Sequence, residues 1–297
     1  MNRAGTFLLI LFIAQLILTA VIYLDGNDRQ SRSAEDALID VGTYAVDELK
    51  IDDSMGNSVV LRKSGDLWLL PELGNLPAQP EMIAKVLQTL TTDDPGLSIA
   101  HTIASRQRFQ VAHYHYRLKI GLSSLNQPVG TIFLGTSPGF RKVHVRNEKQ
   151  DNIYSVDLNL YDIPLQPGKW LEPRLLQVRA PVQITADGYS LERSGGEWRL
   201  GTGQKPDQRE LQALLGALRN IQVQGVATKE AEKKAKKREP ELILQVQGLA
   251  AQTELQLYKI DQAHFVRSSE YPLLFRVSAY DFDKLTGIDS FLLSGAQ

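Results

Sequence analysis

The 297 residues include 43% hydrophobic and 23% charged side chains, proportions of folded globular protein, with room for about two domains at roughly 100–200 residues each. A net charge of −1 argues against a nucleic-acid binder, which needs a basic surface to neutralise phosphates. The chain has no cysteine, which excludes disulfides, thiolate catalysis, cysteine-ligated zinc, iron–sulfur clusters and an acylated cysteine terminus.

In chain order, the first element is FLLILFIAQLILTAVIYL, residues 7–24, uncharged and with only Gln15 and Thr19 polar. About 20 apolar residues span the hydrocarbon core of a bilayer. The run passes into VIYLDGNDR without a small-x-small cleavage site, so residues 1–24 are expected to be an uncleaved signal anchor, a transmembrane helix. Arg3 before it and Arg29 and Arg32 after it nearly balance the positive-inside bias. A short tail before the helix and a long body after it lead us to expect the body on the periplasmic or extracytoplasmic side of the membrane. Residues 25–42, opening DGNDRQSRSAEDALID, read as a polar juxtamembrane linker.

Residues 43–176 form a first module. LKIDD, SVVLRKS and DLWLL have the composition of short strands. LPAQPEMIAKVLQTL follows as a helix, with Met82, Val86 and Leu90 on one face and Pro80 in its first turn. Residues 177–297 repeat the plan. VQITADGYSLERSGGEWRL is strand, turn and strand, and KPDQRELQALLGALRNI is a helix. Its stripe is Leu211, Leu214, Leu215 and Leu218, with Asp207 as N-cap.

Three blocks match in the same order. LRKSGDLWLL (61–70) pairs with LERSGGEWRL (191–200), and PAQPEMIA (77–84) with PDQRELQA (206–213). VHVRNEKQDNIYSVDLNLYD (143–162) aligns without a gap on HFVRSSEYPLLFRVSAYDFD (264–283), setting Arg146 on Arg267 and Tyr154 on Phe275. A tandem duplication explains this. The expected fold is α+β: a transmembrane helix, then two tandem repeated modules, each an antiparallel sheet covered by a helix. Trp68 and Trp198 hold equivalent positions, packing beneath those helices or, alternatively, offering stacking platforms for sugars.

The modules differ in their inserts, residues 91–116 and 226–241. On a shared frame, divergent inserts carry specificity. The candidate partner contacts are therefore Arg106, Arg108, Tyr114 and Tyr116 in the first, and Lys233, Lys234, Lys236 and Lys237 in the second. The run EKKAKKR (232–238) reads as a solvated charged helix, with anionic headgroups or an acidic partner as the alternative.

No catalytic constellation emerges. GTSPG (135–139) matches the nucleophile-elbow spacing, but that motif needs a helix after the serine, and FRKVHVR is a strand pattern. Ser137 is thus a turn residue. His113 and His115 would face one side of a strand without a third ligand at metal-site spacing. Asp52–Asp53 and Asp93–Asp94 fit turns, and GTGQKP (201–206) lacks the phosphate-loop spacing. No cofactor or metal is expected.

The strand ending S-G-x-x-W-x-L, the proline-led helix, the hairpin TIFLG, VHVRN followed by NIYSV, and KWLEPRLL together resemble a bacterial membrane-anchored family over about residues 43–292. That family is classed as a domain of unknown function, and its members are often encoded beside gliding-motility-type (Gld-like) ABC transporter genes. The resemblance implies an accessory scaffold of an ABC-type transporter, with permease and ATPase subunits as partners and no catalytic residue to carry over. Two alternatives stand beside it. One is a module binding an envelope glycan or a peptide strand added to a sheet edge; the other is a serine hydrolase at Ser137.

Overall fold

The computed structural model describes residues 12–16, 19, 37–39, 45–249 and 251–295. It is a mixed fold of helices and large antiparallel sheets. No helix among the described residues is long and apolar enough to cross a membrane; the anchor expected at 7–24 falls for the most part outside them. The chain divides into two compact units. One runs to Gly74 and continues over Pro80–Pro167, and the other combines Asn75–Gln79 with Gly168–Gln297.

The first unit opens with β1 (Glu48–Asp53), β2 (Ser58–Ser64) and β3 (Leu67–Leu70). After β4 (Leu76–Pro77), assigned to the second unit, come helices α1 (Pro80–Leu90) and α2 (Ile103–Arg108), and the two-stranded β5 (Val111–Ala112) and β6 (His115–Tyr116). The unit ends with β7 (Leu118–Ser124), β8 (Gln127–Leu134), β9 (Val143–Asn147) and β10 (Tyr154–Val156). Its sheet runs from β10 through β9, β8, β7, β1 and β2 to β3. Turn chemistry fixes the hairpins. Asp53 accepts the N–H groups of Met55 and Asn57 at 2.8 and 2.9 Å, the Asx-turn geometry that reverses a chain between strands. Those bonds, with the Asn57 amide first, hold the Asp53 carboxyl below its ordinary range.

The second unit has β11 (Pro181–Ala186), β12 (Tyr189–Ser194), β13 (Glu197–Leu200), α3 (Gln208–Asn220), β14 (Val223–Val226) and α4 (Lys229–Ala235). It continues with β15 (Leu242–Gly248), β16 (Gln252–Ile260), β17 (Ala263–Ser268), β18 (Leu274–Val277), α5 (Ala279–Thr286) and α6 (Ser290–Leu293). Its sheet order is β13-β12-β11-β15-β16-β17-β18-β14. Writing β11, β12 and β13 for β1, β2 and β3, and β15 to β18 for β7 to β10, gives the order of the first sheet. β14 is then an additional strand beyond β18.

The helices follow their sequence patterns. In α1 the buried residues are Ile83, Val86 and Leu90, so the stripe passes through Ile83 and leaves Met82 at its margin. In α3 they are Leu211, Leu214 and Leu218, with Leu215 half-buried. Asp207 caps α3 by accepting from the N–H groups of Arg209 and Glu210 at 2.9 and 3.0 Å.

The sheets are covered on more than the one face expected. Side chains alternate across a strand, yet Ile132, Phe133 and Leu134 at the end of β8 are all buried. One face of β17 meets α5, where the His264 and Phe282 rings lie 4.7 Å apart. On the other face Phe265 joins Tyr258, Ile260 and Leu274 in a cluster closed by Ala231 and Ala235 of α4. The inserts supply this second cover. Residues 37–39 are buried too, although the stretch reads as linker. Gln150 donates to the Ala37 carbonyl at 3.2 Å, the Asn147 side chain donates to the Leu38 carbonyl, and Ile39 fills the space a Cβ at Gly130 would need.

Candidate functional site

The candidate contact residues sit on inserts that are fastened to their sheets. In the first unit, Thr102 caps α2 by accepting from the Ser105 N–H at 3.2 Å. The chain then passes through Phe109 and Gln110, the latter at φ 57, into the β5–β6 hairpin. Val111 packs with Phe133 and Ile153, and Phe109 and Tyr116 close over that cluster. Thr136 donates its N–H to the Phe109 carbonyl at 2.8 Å. A Cβ at Gly135 would lie 1.9 Å from that same oxygen, so only glycine allows this approach of insert to strand.

Arg146 is the bolt. Its side chain is 3% exposed. Its Nε donates to the Val111 carbonyl at 2.9 Å, and its Nη1 to the carbonyls of Asn147, Glu148 and Gln150 at 2.8, 3.1 and 2.8 Å. The contact with Val111 ties the hairpin to β9. In the second unit Arg267 pairs with Glu232 of α4 at 2.7 Å and lies 5.7 Å from the centre of the Tyr258 ring. One aligned arginine therefore fixes a different insert in each unit.

The remaining surface is uneven. Arg106 pairs with Asp151. Arg108 is exposed and stacks 4.4 Å from the centre of the Phe109 ring. Tyr114, 60% exposed, stands at the hairpin turn, edge-on to His113 at 4.9 Å. Tyr116 turns inward, 5.4 Å from the Phe133 ring. On α4, Lys234 bridges Asp261 at 2.9 Å and Glu230 at 3.2 Å; those carboxylates, Asp261 foremost, raise its pKa. Lys233, Lys236 and Lys237 are exposed and carry no ion pair among the described residues.

The other motifs resolve into local structure. The Ser137 hydroxyl faces the carbonyls of Gly139 and Lys142 at 2.7 and 2.6 Å. His144 is buried against Phe109, with its Nδ1 2.8 Å from Thr136 Oγ1. Burial, helped by the charge of Arg108 and opposed by Thr136, lowers its pKa. Among the described residues no three His, Cys, Asp or Glu side chains gather as metal ligands. Asp52 is flanked by Lys50 and Lys119 at 3.6 and 3.4 Å, and Asp94 accepts the Gly96 N–H at 2.9 Å. Trp68 is buried at 8% exposure, whereas Trp198 is half-buried.

Comparison with known proteins gives one family. A model for a domain of unknown function, DUF4340, matches residues 68–240. No curated protein and no solved structure matches the chain.

Proposed function

The chain belongs to the DUF4340 family, and from that premise we propose a non-enzymatic role as a membrane-anchored, extracytoplasmic scaffold of an ABC-type transporter. Residues 7–24 would hold it in a bacterial inner membrane with the body in the periplasm, against permease or ATPase-linked subunits. The resemblance to proteins encoded beside Gld-like transporter genes supplies the transporter. The observation that carries the scaffold reading is the pair of clamps: Arg146 and Arg267 hold two unlike inserts on like sheets. An insert fixed before binding loses little conformational entropy on contact, which favours recognition. Arg108 and Tyr114 on one insert, and Lys233, Lys236 and Lys237 on the other, are the exposed groups available to partners.

The test is purification of tagged full-length protein from detergent-solubilised membranes, with mass spectrometry of what accompanies it. Stoichiometric permease or ATPase subunits support the reading, and Lys233, Lys236 and Lys237 changed together to glutamate should reduce their recovery. Recovery of the protein alone would overturn it.

A further inference from the structure

Strand β13 closes one end of the second sheet, with β12 beside it. The Gly201 N–H donates to the Ser190 carbonyl at 2.9 Å. Antiparallel ladders alternate between bonded and non-bonded pairs. Arg199 and Glu197 therefore direct their backbone groups at β12, while Trp198 and Leu200 direct theirs to the free edge. The Leu200 N–H is taken by the Gln204 carbonyl at 2.9 Å. The N–H and C=O of Trp198 face the open side.

Beside this edge is a groove of about 440 Å³ between the β12–β13 hairpin and α3, lined by Arg193, Trp198, Lys205, Gln212, Leu215 and Arg219 among others. Arg193 and Trp198 are cross-strand partners. The aligned pair in the first sheet is Lys63 and Trp68, where the indole is buried. The groove's charge is unbalanced. Glu197 answers Lys205 at 3.1 Å and Arg199 at 3.7 Å. Arg193 and Arg219 are exposed and have no ion pair among the described residues.

We propose that this groove binds an extended acidic peptide segment of a partner protein. The segment's main chain pairs with Trp198 at the β13 edge, and its carboxylate side chain lies between Arg193 and Arg219. Strand addition supplies main-chain bonds at a sheet edge, with side-chain pockets giving specificity. Guanidinium groups match carboxylates with two parallel bonds. The half-buried indole and Leu215 form the apolar wall. This site lies apart from the insert residues and does not depend on the transporter reading.

The test uses the purified full-length chain in detergent micelles, without any transporter subunit. The probe is a capped ten-residue peptide alternating valine and glutamate, with glutamine and lysine counterparts. Trp68 and Trp170 are buried at 8% and 0% exposure, so a change in indole emission reports Trp198. The glutamate peptide should give a saturable change, and the glutamine peptide should bind roughly tenfold more weakly. Methylating the amides along the pairing edge of the glutamate peptide should abolish binding. The double variant Arg193→Glu, Arg219→Glu, checked for folding by circular dichroism, should prefer the lysine peptide. Equal binding of the glutamate and glutamine peptides, indifference to amide methylation, or no saturable change with any peptide would each overturn the proposal. So would a saturable response to an oligouronate in place of the peptide, which would make the groove a glycan site.

Discussion

The guanidinium of Arg146 lies 5.2 Å from the centre of the Phe133 ring, its cross-strand partner on β8. A charge this deeply buried persists because it is hydrogen-bonded, and here four carbonyls receive it. Removing it strands those oxygens and opens a void over Phe133. Arg146→Ala should therefore lower stability by about 3 kcal/mol, the scale for losing buried, charge-assisted hydrogen bonds. Arg146→Lys should restore little of this, since an ammonium cannot reproduce the guanidinium fork. Arg267→Ala should cost less, about 1 kcal/mol, because Arg267 is only partly buried and gives up one carboxylate partner rather than four buried carbonyls. Denaturant unfolding of the variants measures both. Equal losses at the two positions would refute the distinction between the buried bolt and the half-buried pair.

His144 gives the fold an acid sensitivity whose sign follows from its environment. Burial, with Arg108 adding to it, lowers the folded-state pKa, while the unfolded chain titrates near the ordinary value of about 6.5. Between the folded and unfolded values the unfolded state binds more protons, so stability rises with pH there. The contribution is present above about 6.5 and is lost as pH falls toward the folded value. His144→Phe, which places at this position the residue aligned with it, Phe265, should remove that part of the pH slope. Unfolding midpoints measured across the acid range test this by their slope, whatever the absolute offset. An unchanged slope would rule out His144 as its source.

The tryptophans differ in a way solvent quenching can read. Trp170 is fully buried and Trp68 nearly so, whereas Trp198 is half-buried at the β13 edge. Acrylamide should quench a minor, accessible component of the emission, and Trp198→Phe should remove most of it. The equivalent change Trp68→Phe should leave it in place and cost stability instead. Loss of the accessible component on changing Trp68 would contradict the burial seen here.

Much of this architecture was legible in residue patterns, and what was not has definable causes. The alternation in SVVLRKS and the apolar spacing of α3 encode one element each, with local signals that survive packing. The register of VHVRNEKQ against HFVRSSEY placed Arg146 on Arg267, but nothing in the letters distinguishes a clamp from a surface cation. That depends on where Val111 and Glu232 arrive in space, and both lie in inserts that share no pattern. In the sequence Gly135 is simply the first letter of GTSPG. Its real constraint, the Phe109 carbonyl where a Cβ would be, comes from a contact across chain segments far apart in sequence. Likewise, matching letters at Trp68 and Trp198 concealed unequal exposure, which neighbouring elements set.

Ser137 tests whether GTSPG carries chemistry. The residue is exposed, and its hydroxyl lies within bonding distance of two carbonyl oxygens, those of Gly139 and Lys142. A hydroxyl has one proton to donate, and both neighbours are acceptors that cannot take that proton as a base. A nucleophilic serine instead needs an adjacent base to activate it. The strand β9 follows this turn where the elbow geometry needs a helix. Ser137→Ala should therefore cost about 1 kcal/mol or less, the scale of one hydrogen bond at the surface. It should also leave co-purification and any growth phenotype of the gene unchanged. Covalent labelling of the wild-type chain by a fluorophosphonate, lost in Ser137→Ala, would instead establish an activated serine and sink the turn reading.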